Sequence, residues 1–197
     1  MTKAQQTRQF IIEKTAPIFN KKGYAGTSLS DITAATGLTK GSIYGNFKDK
    51  EEVALLVFKH NTDQLSKKTA DWIAEHHNAY DQLMGIFDFY RVNWKSIFAN
   101  GGCPVLNAAT ESDDLMPVLK ARVKLTFDNW GKKIAKILED GIKKDVFNPE
   151  INTAQYADLF IMMIEGGIVL SKISDKPDNL FLILERIVKI VDDEIVK

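Results

Sequence analysis

Among 197 residues there is one cysteine, Cys103, so no disulfide can form within the chain and a reducing compartment suits it. Histidine is also scarce. Of the three, His76 and His77 are adjacent and would point in different directions from a helix. Without a Cys–His spacing that suits zinc, neither a metal site nor a cofactor is expected. No Gly-rich phosphate loop and no Gly-x-Ser-x-Gly elbow occurs, which argues against an enzyme. Apolar runs long enough to span a bilayer are missing, as are a signal-peptide core, internal repeats and low-complexity tracts, so a cytoplasmic protein is expected. Net charge is missing too: 26 Lys/Arg cancel 26 Asp/Glu, which argues against a wholesale basic nucleic-acid binder.

The charges present are distributed unevenly. Residues 1–50 hold eight Lys/Arg against three acids, a net of +5, and the other 147 residues therefore carry −5. A basic head on an acidic body is the electrostatic footprint of a nucleic-acid-binding domain joined to one with other work. Within the head, Thr27 to Lys50 reads as two short helices around a tight corner. Ser28 is an N-cap with Asp31 three residues on, Ile32 and Ala35 share a face, and Gly37 suits a left-handed C-cap. Leu38 plugs the corner and Thr39 caps the next helix, whose inner face is Ile43 and Phe47. Helix, Gly-containing turn, helix is the pattern that places its second helix in a DNA major groove. That helix opens with Lys40, Gly41 and Ser42, a cation beside a residue without bulk and a small hydroxyl. Lys40 and Ser42 are candidates for base edges, and Thr27, Tyr44 and Lys50 for phosphates. A surface αα-hairpin with ordinary caps is the competing reading of the corner.

These residues carry a resemblance. Phe19, Gly23-Tyr24, Thr27-Ser28, Ile32, Gly37-Leu38, Thr39-Lys40-Gly41-Ser42, Tyr44, Phe47 and Lys50 together resemble the tetracycline-repressor-like (TetR/AcrR) transcriptional regulators. The chain departs at Pro17, inside the first helix, and at Gly45-Asn46, where members often carry a His and an aromatic residue. The resemblance implies an all-α fold: a three-helix helix-turn-helix DNA-binding domain over 1–50, then a helical ligand-binding and dimerisation domain over 51–197. It also implies duplex operator DNA as a partner, with Thr27, Ser28, Thr39, Lys40, Gly41, Ser42, Tyr44 and Lys50 as the DNA-binding set.

Helical periodicity continues along the body. Helices are expected over roughly 4–22, 50–76, 80–99, from Pro104 to about Asp113-Asp114, and from Leu115 to Lys143, with a loop to Asn152. Two more follow over about 153–173 and 178–195. The first of these is apolar on nearly every side, as a helix buried all round would be. Both look like half of the four-helix dimer interface that the resemblance implies, with Tyr156, Phe160, Gly166, Gly167, Leu184 and Val188 as dimerisation candidates. The bland alternative is that they only close the monomer core. Inducers of the family bind among the inner helices, which makes Phe87, Tyr90, Trp94, Phe98, Asn107, Phe127, Trp130 and Met163 the ligand-binding candidates. Glu165 is a further polar candidate there, and a small hydrophobic or aromatic effector is implied. An aromatic stripe at this spacing also fits a solid core. The expectation is therefore a homodimeric repressor released by such an effector. Two alternatives stay open: Cys103, just before a helix start, as a reactive thiol, or an architectural DNA binder with no ligand.

Overall fold

The computed structural model describes residues 1–112, 114 and 116–197. Among the described residues every regular element is helical: α1 Lys3–Lys22, α2 Leu29–Thr36, α3 Lys40–Asn46, α4 Lys50–Ala74, α5 Ala79–Ala99, α6 Pro104–Ser112, α7 Pro117–Lys143, α8 Thr153–Ile173 and α9 Asp178–Ile190. A π-helical turn, Val191–Ile195, ends the last of these. The all-α fold expected from the sequence is the fold found. The expected ends of α6 at Asp113 and start of α7 at Leu115 lie outside the described residues.

The chain divides into two compact units, Met1–Leu65 with Asn100–Lys124, and Ser66–Ala99 with Leu125–Lys197. Helices α4 and α7 are each continuous through the division in sequence. In the first unit the sequence caps its own helices. Ser28 accepts the Asp31 N–H while Asp31 accepts the Ser28 N–H in return, a complete capping box. Gly37 closes α2 at φ 69°, a conformation that side chains with a Cβ resist. Thr39 Oγ1 accepts from Ser42 N–H at 3.2 Å and Asp49 Oδ1 from Glu52 N–H at 2.8 Å, starting α3 and α4. Ile11, Phe19, Tyr24, Ile32, Ile43, Val53 and Val57 are buried beneath these caps. Near the start of α7 Leu119 is buried and Val118 is 49% exposed, so the inner face begins at Leu119.

In the second unit α8 and α9 lie against each other, with Gly167 at the crossing. A Cβ there would sit 2.7 Å from Ile183 Cγ2 and 3.2 Å from the Leu180 Cα. Phe147 is wholly buried against Gly141, where any added Cβ would overlap its ring. An isolated antiparallel bridge from Phe147 to Val196, and the phenols of Tyr80 on Asp192 (2.9 Å) and Tyr156 on Glu194 (2.7 Å), tie down the π-helical turn. No helix is long and apolar enough to cross a membrane among the described residues.

Candidate nucleic-acid interface and effector cavity

On α3, Lys40, Gly41, Tyr44 and Gly45, with Lys48 just beyond its end, fall at the spacing of one helical face, and all five are exposed. Tyr44 leaves 53% of its surface open, large for an aromatic. Nothing among the described residues asks for the two glycines. A Cβ on Gly45 would meet nothing within 4 Å, and one on Gly41 only Thr39 Oγ1 at 3.9 Å. Each glycine nevertheless weakens the helix by about 1 kcal/mol relative to alanine. A smooth, cationic, weakly held helix face suits close approach by another molecule. Ser28 and Thr39 are exposed as well, and both hydroxyls are engaged as N-caps. Ser42 is half-buried, on the edge of this face.

Two expected phosphate contacts point inward instead. Thr27 is wholly buried and donates its hydroxyl to Gly23 O at 2.6 Å. Lys50 Nζ donates to Tyr24 O, Ala25 O and Thr27 O at 3.1, 3.3 and 3.0 Å, fastening the start of α4 to the corner between α1 and α2. Sequence marks Lys50 as a cation but cannot show that three main-chain carbonyls converge on it. Lys50→Met is therefore expected to lower the stability of this unit by about 1–2 kcal/mol. The salt slope of DNA binding should stay constant, where loss of a phosphate contact would lower its magnitude by about 0.9. Urea melts and a salt titration read the two effects separately.

Arg8 is a residue that the sequence pattern left unremarked. From α1 its guanidinium bonds Asn46 O at the end of α3 and Glu52 Oε1 (2.6 Å), and lies 4.4 Å from the centre of the Phe47 ring. A cation on the last carbonyls of α3 complements that helix end. Arg8, followed by the Lys48 N–H, also pulls the Glu52 carboxyl below its ordinary pKa. Asp31 is lowered further, to about 2, by the Lys22 ammonium first and the Ser28 donors next. A lowered carboxyl stabilises the fold above its unfolded pKa and loses that contribution as pH falls through the folded one. The helix-turn-helix should accordingly lose stability between about pH 4 and pH 2. Asp31→Asn should flatten the acid limb of a pH-dependent melt.

The ligand-binding candidates do not share one place. Tyr90 and Trp130, with ring centres 6.5 Å apart and tilted by 48°, line a small cavity among α5, α7 and α8. Glu165 and the isoleucines at 86, 134, 161 and 164 complete its wall, and only about 10 Å³ is open to the centre of a water-sized sphere. Phe127 stacks on Trp130 at 6.3 Å from outside the lining. Phe87 is core, edge-on to Phe160 at 5.4 Å, and Trp94 packs with Phe98 and Phe181. Met163 is half-buried and off the lining. Asn107 is in the other unit altogether, donating to Asn20 O, Asn20 Oδ1 and Gly101 O at 3.0, 3.0 and 2.9 Å. Of the eight candidates, Tyr90 and Trp130 are the two that line this cavity.

Several dimerisation candidates are likewise occupied within the protomer. Phe160, Gly167 and Leu184 are buried, Val188 is half-buried, and Tyr156 bonds Glu194. Gly166 is exposed, with nothing among the described residues within 4 Å of where a Cβ would stand. It lies in a stripe with Met162, Val169, Leu170 and Ile173, which are 64, 37, 58 and 77% exposed. The expectation that α8 is buried all round fails for the single chain along this stripe.

Cys103 is 3% exposed, so a reagent reaches it only through local opening. The buried Tyr24 phenol, whose hydroxyl has no hydrogen-bond partner among the described residues, is held well above its ordinary pKa by burial first, then by Glu111 and Cys103.

Capped corner, clear cationic helix face and basic head together define a helix-turn-helix DNA-binding protein. The family model of bacterial regulatory proteins of the tetR family matches residues 11–57, and that of the tetracyclin repressor-like C-terminal domain matches 79–186. The chain belongs to the TetR family of transcriptional regulators, DNA-binding proteins rather than enzymes. A TetR regulator from Chloroflexus aurantiacus is 34% identical, with a TM-score of 0.95 over 100% of this chain and 99% of that one. Another, from Cytophaga hutchinsonii, is 32% identical, with a TM-score of 0.89 over 98 and 96%. The transcriptional repressor DhaR of a Mycobacterium species is 24% identical over 88% of this chain and 86% of its own.

Proposed function

We propose that the protein is a repressor that binds a near-palindromic operator as a homodimer and is released by a small hydrophobic effector. The observation that carries the reading is the α3 face of Lys40, Gly41 and Tyr44, exposed among the described residues. Two such faces, related by a two-fold axis, read half-sites one or more turns of about 34 Å apart. The second copy docks on the α8 stripe from Met162 to Ile173, since contiguous apolar surface of this kind marks an association face. The similarity to DhaR, itself a repressor, supports the sign of regulation. Effector binding widens the cavity between α5, α7 and α8, and the continuous helices α4 and α7 carry the change toward the head. An effector shifts the equilibrium only by binding the released conformation more tightly than the operator-bound one.

Contact roles on α3 are tested by substitution. Lys40→Ala is expected to erode discrimination at one base position by about 1–3 kcal/mol while sparing the others. Binding to an operator selected from a random DNA pool, and to its single-base variants, gives the measurement. Equal loss on matched and mismatched sites would make Lys40 a phosphate contact. Failure to select any sequence would favour an architectural role.

A further inference from the structure

We propose that Gly45 reads the operator by close contact with a thymine methyl group, so that each half-site carries a thymine opposite this residue. This rests on the reading of α3 as the helix that enters the major groove, and names what one position of it recognises. Ile43 and the C-cap Phe47 are both buried. At ~3.6 residues per turn, Gly45 falls opposite the midpoint of that pair, on the outermost line of the helix. It is exposed, and a Cβ there would meet nothing within 4 Å among the described residues. Its backbone is helical, with no positive φ to call for glycine. The residue thus lowers helix propensity at the point that a molecule meeting α3 reaches first.

What a bare Cα can recognise is narrow. The Gly45 N–H is directed along the helix axis to the carbonyl four residues earlier, and its own carbonyl along the axis the other way. Neither turns toward a base lying against the side of the helix. Gly41 differs, since it stands in the first turn, where N–H groups lack partners within the helix. Gly45 is left with apolar contact and with the room its missing side chain provides. Among the four bases, thymine alone presents an apolar group in the major groove, its C5 methyl. A hydrogen-bonding edge placed there would lose water against a bare Cα and gain no partner. Lys40, Tyr44 and Lys48, exposed on the same face, supply the polar and charged contacts around it.

An operator selected from a random DNA pool serves as the probe, each thymine replaced in turn by deoxyuridine, symmetrically in both half-sites. Deoxyuridine pairs as thymine does and lacks only the methyl. One such pair of replacements should weaken binding by the full wild-type chain about tenfold, through loss of two buried methyl groups. Gly45→Ala should raise the melting temperature by about 2–4 °C, which removes misfolding as a cause of weaker binding. The variant should bind the thymine operator about tenfold or more weakly, because its Cβ takes the space of the methyl. On the deoxyuridine operator, where that space is vacated, it should match the wild-type chain within about twofold. The thymine assignment is overturned if no thymine matters, or if Gly45→Ala loses affinity equally for both operators or keeps it for both. A changed base preference in Lys40→Ala would then leave the reading of α3 standing. If Lys40→Ala also changes nothing, or if no sequence is selected from the pool, both fall.

Discussion

Gly166→Glu is expected to leave the protomer folded and to reduce operator affinity on the order of a hundredfold or more, about 3 kcal/mol or above. The protomer tolerates the change because the position is open, with nothing among the described residues within 4 Å of the place a Cβ would occupy. The proposed dimer does not tolerate it. Across a two-fold axis the substitution places a carboxylate on each copy in one apolar face, and burying two like charges together is strongly unfavourable. The neighbouring glycine supplies the control. At Gly167 a Cβ would meet Ile183 at 2.7 Å, so Gly167→Glu should damage the protomer itself and lower its melting temperature. Sedimentation and thermal melts of both variants distinguish the outcomes. A Gly166→Glu protein that remains dimeric and binds operator normally would move the association surface off α8.

Gly101→Ala is expected to destabilise the first unit by about 2–4 kcal/mol. Gly101 sits at φ 99°, and a Cβ would lie 2.8 Å from Asn20 O. It belongs to a compact polar latch. Asn20, 7% exposed, donates to Asn100 O at 2.6 Å and Gly102 O at 3.2 Å, while Asn107 donates to Asn20 and Gly101. Moving Gly101 away from Asn20 leaves several of these buried groups without partners at once, which is why the effect exceeds backbone strain alone. Nearby, Glu111 on α6 accepts the Ala25 N–H at 3.0 Å, so α6 also holds the corner before α2. Operator affinity should fall together with stability, since the latch holds α1, on which α2 and α3 are seated. A denaturant melt of the full chain reads the loss. A change below about 1 kcal/mol would show that the loop relaxes around the new methyl.

Much of the helix-turn-helix was legible in the sequence because its signals are local. Ser28 with Asp31, Gly37, Thr39 and Asp49 each act within four residues of where they stand, and each caps or turns as its type dictates. The body was legible only as far as helix order. Periodicity shows that Trp94, Phe98, Phe127 and Trp130 share helical faces but not whether they enclose space or fill it, since that depends on long-range packing. Asn107 illustrates the same limit. An amide on a short helix suits a ligand as well as a main-chain latch, and only its encounter with Asn20, 87 residues away, decides. On α8 the pattern is apolar all round, so sequence could not separate the face turned to α9, with Gly167, from the outward stripe of Met162, Leu170 and Ile173.

The seven-residue α3 carries two glycines, and its ends depend on Thr39 at one side and Arg8 at the other. Such a helix is too short to persist by itself. Its rigidity is on loan from α1 and α2, and what motion is left to it is set by those contacts. Part of the free energy of meeting DNA must therefore go into quenching that motion. A near-match that fails to fill the groove contacts would recover less of this ordering penalty, so discrimination between sites is amplified by the softness of the element that does the reading.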